Sequence, residues 1–444
     1  MLKAGFARVD VTPPLGTYIA GYFHSRFADG ILDPIELNAI AFNDGSQTAI
    51  IITADFEEIG EKEFKTLRKL IVERTGINEN NIIITSLHQH SSISFADGMF
   101  SAENNVLQDF SYVQLLQRKF ADVAQMAIDD MEEATLSYGE EQTEKPISFV
   151  RRYFMSDGTV ATNPKPDKVT GWPPVKSTEE ADNTVRLVKF TRTGKKDIAL
   201  VNFCSHSDTI GGSKFSADWA GFTRRFVEKD QDAHCVLIVG FQGDTNHINF
   251  LVDNDKRFPK GPLYPHSEYM GRMIANTVNK IWDKTKKTDD FVISGNNDVV
   301  YSKTRTDKDE FFDECWEVYK ERMLNHNYNV SDSPSGIPMA EAHRIVRVHM
   351  QGKLYSSVVV SIIKLGNIYF FGLSGEPFTQ YANSVRKAFP DKTIISICIA
   401  NGPGGYFPTA TAFEVGGYEV VSSAFTPDIE KQLVDAAIDL IKNM

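Results

Sequence analysis

The sequence predicts an α/β protein of mixed β-sheets with surrounding helices and a metal site at the strand ends. Three observations carry that expectation. Short, β-branched apolar runs recur along the 444 residues. Segments of helical period are interspersed with them. Several of the runs are followed at once by histidine or a carboxylate, the place where ligands bind in α/β folds.

In chain order the apolar runs cover 48–53, 81–85, 197–203, 235–241, 357–363, 368–373 and 393–399. Several are apolar on both faces, as strands covered on both sides must be. Helical spacing marks EKEFKTLRKLIVERTG from Glu61, QDFSYVQLLQRKFADVAQMAIDDM from Gln108, SEYMGRMIANTVNKIWDK from Ser267 and PDIEKQLVDAAIDLIKNM from Pro427. Two polar stretches, 163–183 and 284–298, read as surface insertions; the first is either a lid or an inert loop, with inert the better expectation. No composition break or internal repeat divides the chain, so residues 1–444 are read as one domain.

Composition limits the function classes. Hydrophobic residues make up 42% and include 30 Phe, enough for a large core. A net charge of −12 provides no attraction to nucleic acid or an anionic membrane. No run of 18 apolar residues predicts a membrane-spanning helix. The opening MLKAGFARVDVTPPLG lacks the apolar core of a signal peptide, so the expected location is the cytoplasm. Cys204, Cys235, Cys315 and Cys398 have no CxxC spacing, and three of them sit in apolar runs. All four are expected to be free thiols, in keeping with a reducing compartment.

The chemistry-bearing residues follow the strands. ITSLHQHSS places His88 and His90 two residues apart after one run; in an extended segment they would face the same side. VNFCSHSDTIGG places His206 after another. CVLIVGF leads into QGDTNHIN, where Asp244 could orient a ligand from behind. NIYFFGLSGEPFTQY ends with Glu376, either an oxygen ligand or a carboxylate placed for a helix dipole. IISICIANGPGGYFPT ends in a glycine-rich turn and Tyr406, which by itself would be packing. Nitrogen and oxygen donors together suit zinc with an open position.

The ordered set GFARVDVTPPLGTYIAGY, LHQHSS, NFCSHSDTIGG, SADWAG, QGDTNHIN, SGEPF and ANGPGGYFPT resembles the amino-terminal catalytic domain of the neutral/alkaline ceramidase family over nearly the whole chain. That resemblance implies one zinc per chain. It carries His88, His206, Glu376 and Tyr406 over as ligands and His90 as a proton-transfer or oxyanion-stabilising neighbour. It places Arg151 near substrate, with Arg152 as its rival, and marks Asp55 and Asp218 as family positions without assigning them a role. The chain departs from the family in three ways. Asn246 stands where the family has a serine. SSISFADGMF follows His90 in place of a glycine-rich continuation. The chain is expected to lack the family's carboxy-terminal immunoglobulin-like domain. The reading is therefore a zinc-dependent amidase acting on a small-molecule N-acyl substrate, ceramide-like or smaller and more polar. The alternatives are an esterase or carbohydrate-derivative hydrolase on the same fold, or an inactive binding homologue. A symmetric homodimer is the default oligomeric expectation.

Overall fold

The computed structural model describes residues 1–22, 24–95, 110–164, 173–252, 264–324, 332–352 and 354–444. Nine strands form one mixed sheet: β1 (Lys3–Asp10), β2 (Glu36–Asn43), β3 (Thr48–Ala54), β4 (Ile82–Ser86), β5 (Glu132–Gln142), β6 (Thr184–Arg192), β7 (Ile198–Phe203), β8 (His234–Val239) and β9 (Lys286–Thr288). Their order is β8-β7-β6-β5-β1-β2-β3-β4, with β9 paired to β5. A second sheet runs β10 (Ile293–Lys303), β11 (Tyr355–Leu365), β12 (Ile368–Leu373) and β13 (Thr393–Ile397).

Side-chain alternation decides the layering. On β4, Ile83 faces the second sheet while Ile82 and Ile84 face helices; on β7, Ile198 and Leu200 face inward while Ala199, Val201 and Phe203 face helices. The inner core between the sheets joins Phe42, Ile51, Ile83 and Phe190 to Ile363, Phe370 and Ile395. Helices α1 (Glu61–Thr75) and α2 (Phe110–Asp129) cover one part of the outer face of the large sheet, and α3 (Asp218–Gln231) and α4 (Pro265–Ile281) cover another. Two further helices are α5 (Phe312–Tyr319) and α6 (Met339–Gln351). Beyond the second sheet lie α7 (Thr379–Ala388) and α10 (Ile429–Lys442); the short α8 (Ala410–Val415) and α9 (Tyr418–Ser422) precede α10. The result is a helix–sheet–sheet–helix sandwich.

The expected α/β class and the apolar strands are all present. Of the helix expected from Gln108, residues 108–109 lie outside the described residues, as do 96–100 of the segment after His90 and 165–172 of the 163–183 loop. The 284–298 stretch is not a surface insertion: β9 and the first half of β10 fall in it. Its charges mislead because β9 is an edge strand, whose outward side chains meet water. The four cysteines are buried and free, as expected. Among the described residues no helix is long and apolar enough to cross a membrane.

Among the described residues three strand pairs of the two sheets are parallel: β3 with β4, β7 with β8, and β12 with β13. Each pair ends both of its strands at one edge. β13 sits between the two outer strands of the large sheet: Cys398 N donates to Val239 O after β8, and Asn401 N donates to Ile84 O of β4. All six carboxyl ends are thereby gathered in one place.

Candidate metal centre

His88 and His206 leave the ends of β4 and β7 from opposite borders of the large sheet, and Glu376 leaves the end of β12. All three are buried. Nε2 of His88 and Nε2 of His206 each stand 3.2 Å from Oε2 of Glu376. The opposite ring nitrogens are held by backbone: Nδ1 of His88 lies 2.9 Å from Glu57 O, and Nδ1 of His206 lies 3.0 Å from Gln242 O. A carbonyl can only accept, so each Nδ1 carries the proton and each Nε2 presents a lone pair. Two lone pairs and a carboxylate oxygen then converge on one point. Three acceptors repel unless a cation lies among them, so the donor set fits a metal ion.

The electrostatics agree. Burial would push the His88 imidazolium down, but Glu376 and Glu57 outweigh it and raise His88 to about 10. Glu376 is held well below the carboxylate range, its burial outweighed by His88 and His206. His206 falls to about 3 through burial and Arg151. The cluster thus calls for one positive charge at its middle, whether from a proton or an ion.

His90 joins the group. The centroids of its ring and that of His88 are 4.9 Å apart, and its ring centroid is 5.8 Å from that of His206. Donor atoms of the three histidines lie within 4.8 Å of one another, close enough to share an ion. Among the described residues neither ring nitrogen of His90 has a hydrogen-bond partner; Asp208 stands 3.7 Å from Nδ1. The two histidines converge, but not by strand alternation as the sequence suggested. β4 ends at Ser86, and His88 adopts a left-handed backbone with φ 57°. Gln89 is the pivot, donating to Asp55 Oδ1 and to Ala217 O.

Close backbone approach builds the rest. A Cβ on Gly243 would sit 2.2 Å from Glu376 O, so the QGDT turn can touch the glutamate backbone only as glycine. The same turn accepts from Arg151 N at Asp244 O and from Arg151 Nη2 at Gly243 O. Asp244 Oδ1 receives Thr379 N and Oγ1 at the start of α7, so its role is to bind that turn to the segment after Glu376. Gly21, with φ +93°, packs its backbone on His90, where a Cβ would lie 2.7 Å from Cγ.

Tyr406 pairs in register with Glu376, which brings its ring beside Arg151, 5.2 Å from the guanidinium carbon. Of the two rival arginines, Arg151 reaches the centre: Nη1 stands 3.3 Å from His206 Nε2 and Nε donates to Glu419. Arg152 turns away to Glu419 and Gly416 O. Asp55 is tied to Arg224, with Nη1 at 2.8 Å from Oδ1. Asp218 receives the amides of Thr209 and Ile210, fixing the loop after His206. Asn246 bonds Asn163.

A cavity of about 270 Å³ opens on the centre. Besides His88, His90, Glu376 and Tyr406 it is lined by Tyr22, Glu57, Glu58, Tyr418 and, from α6, His343, Arg344 and Arg347. Sequence reasoning missed Glu57 and Glu58, although they follow β3 in the same strand-then-carboxylate pattern. It missed the α6 residues because nothing local marks them.

No family model matches the sequence, and no curated protein matches it. Solved structures do. The crystal structure of neutral ceramidase from Pseudomonas aeruginosa aligns with TM-score 0.69 at 14% identity, over 100% of this chain and 75% of that one. A ceramidase complexed with C2 aligns at TM-score 0.68 and 14% identity, over 100% and 76%. The chain has a neutral ceramidase-like fold.

Proposed function

We propose that the protein is a zinc-dependent hydrolase that cleaves the amide bond of an N-acyl compound smaller and more polar than ceramide. One observation carries this: two buried imidazoles, each with Nδ1 fixed by a backbone carbonyl, aim Nε2 at one carboxylate oxygen. Likeness to ceramidase structures adds the amide as bond type. The cavity of about 270 Å³ carries Glu57, Glu58, Arg344 and Arg347 on its walls, which favours a polar molecule.

His88, His206 and Glu376 would hold the ion, with Tyr406 as a further oxygen donor and His90 alongside. Zinc in such a set supplies Lewis acidity, polarising a carbonyl and bringing the pKa of water to about 7. The protein groups do the remainder. The buried walls exclude bulk water, which strengthens every charge interaction inside. His90, with both ring nitrogens free of partners among the described residues, accepts a proton from the attacking water and passes it to the departing amine nitrogen. The Tyr406 phenol donates to the carbonyl oxygen as negative charge grows there. Arg151, fixed by Glu419, keeps Tyr406 in place.

The test is metal content beside turnover. Purified protein is expected to carry about one zinc per chain, lost in His88→Ala and His206→Ala, and to hydrolyse members of a short N-acyl amine panel. Zinc-loaded protein that cleaves esters but no amide would remove the amidase reading.

A further inference from the structure

We infer that the substrate carries an anionic group, a carboxylate in the simplest case, and that Arg347 receives it with Arg344 behind. The inference rests on the hydrolase reading and names the substrate class of the same cavity.

α6 aims His343, Arg344 and Arg347 into the space above the metal centre, one turn apart on one face. Arg347 makes no hydrogen bond and no ion pair with any described residue. Glu58 is the carboxylate that attracts it, along with the phenols of Tyr319 and Tyr418. Nη2 of Arg347 lies over Gly405, 3.5 Å from where a Cβ would be, one residue before Tyr406. That puts the guanidinium beside the reacting groups. Arg344 is 1% exposed and anchored by Nη2 to Asp307 and Glu341, yet its Nε and Nη1 are buried without a partner among the described residues. His343 stacks on Tyr319 with ring centroids 5.2 Å apart.

Guanidinium N–H donors left unmet away from water are costly, and proteins satisfy them. Here the missing partner faces a cavity, so the complement is an anion brought in by the ligand. The planar fork of arginine matches a carboxylate with two parallel hydrogen bonds. Glu57 and Glu58 line the cavity as well, next to the His88 side. Carboxyl oxygens there offer an anion no cationic partner, so the charged end goes to the α6 wall and the scissile amide to the histidines. Glu58 is also the rival explanation: Arg347 could serve it, and not a ligand.

The test compares matched substrates on zinc-loaded protein. N-acetylglycine against N-propylacetamide places the carboxylate on the amine half. N-propylsuccinamate against N-propylbutyramide places it on the acyl half. In the parent, one of the charged substrates is expected to have the higher kcat/KM. In Arg347→Met that charged-to-neutral ratio is expected to fall by about 10- to 100-fold, mostly through KM, with part regained in Arg347→Lys. A ratio that is the same in the parent and Arg347→Met, for both pairs, overturns the inference and leaves the hydrolase reading standing. Equal ratios in Glu58→Gln and Arg347→Met assign Arg347 to Glu58 and overturn it as well. If no amide is cleaved at all, calorimetry decides with N-acetylglycine on chelator-treated protein. Binding by the parent and not by Arg347→Met supports the anion site, whereas binding by neither overturns it.

Discussion

The two walls of the cavity are built in opposite ways. The histidine wall is fixed by backbone. Glu57 O and Gln242 O set the two imidazoles, Gly243 touches Glu376, and Gly21 packs on His90. The α6 wall is made of long side chains on one helix face, and its arginines are only partly tied. A group that must meet a metal within tenths of an ångström is held by main chain, which cannot change rotamer. A group that selects among ligands is held by side chains, which substitution alters without moving the fold. Chemistry and selectivity should therefore separate in mutants.

The largest break expected is on the histidine wall. Glu376→Gln removes the charge that both imidazoles face. Its metal affinity should fall by more than the roughly 100-fold typical of losing an outer partner, read as zinc retained after dialysis. Retention equal to the parent would place the ion elsewhere. Asp55→Ala leaves Arg224 buried with only Glu36 to pair it and should lower stability by about 3 kcal/mol, measured by denaturant unfolding. It should also loosen Gln89, which Asp55 holds between the two histidines.

Asp244 sharpens the comparison through pH. Burial raises its carboxyl from 3.8 to about 6. The folded state thus holds the proton more tightly than the unfolded one. The stabilisation is complete below about 4 and is lost as pH rises through 6, a change of about 3 kcal/mol at two pH units. Asp244→Asn keeps the Oδ1 acceptor for Thr379 and puts an amide at the partnerless Oδ2. Thermal midpoints of this variant should be flatter between pH 4 and 6 than those of the parent; identical slopes would put the titration on another group. The smallest effect expected on this wall is from Gly21→Ala, which presses on His90 without touching the other imidazoles. Turnover should drop by up to about 100-fold, the scale of a 1 Å misplacement, with zinc retained. On the α6 wall Arg347→Met should change the substrate ratio and leave zinc content alone.

The division between the walls also explains what the sequence made legible. Strand ends carrying His88, His206, Glu376 and Tyr406 stand out because apolar runs mark the strands and rare residues follow them. The convergence of those ends depends on β13 lying between β4 and β8, a pairing no local pattern encodes. Alternation was the wrong reason for the His88–His90 match, since a left-handed residue, not a strand, turns the ring. Asp55 and Asp218 were visible as positions only; their work as clamps on Gln89 and on the loop after His206 appears once Arg224, Thr209 and Ile210 are in place. Arg347 was invisible, because a lone arginine on an amphipathic helix reads as a solvated face.

Asn401 accepts from Ile84 N and donates to Ile82 O, partners 317 and 319 residues away in the chain. That clamp brings the end of β4 to the turn that carries Tyr406. Nothing synthesised before residue 401 can make it, so a growing chain exposes His88 and His206 long before their geometry exists. Contacts of such separation form late. Metal acquisition is thus tied to completion of the polypeptide, and a fragment stopped before this turn should take up ions only loosely and without preference.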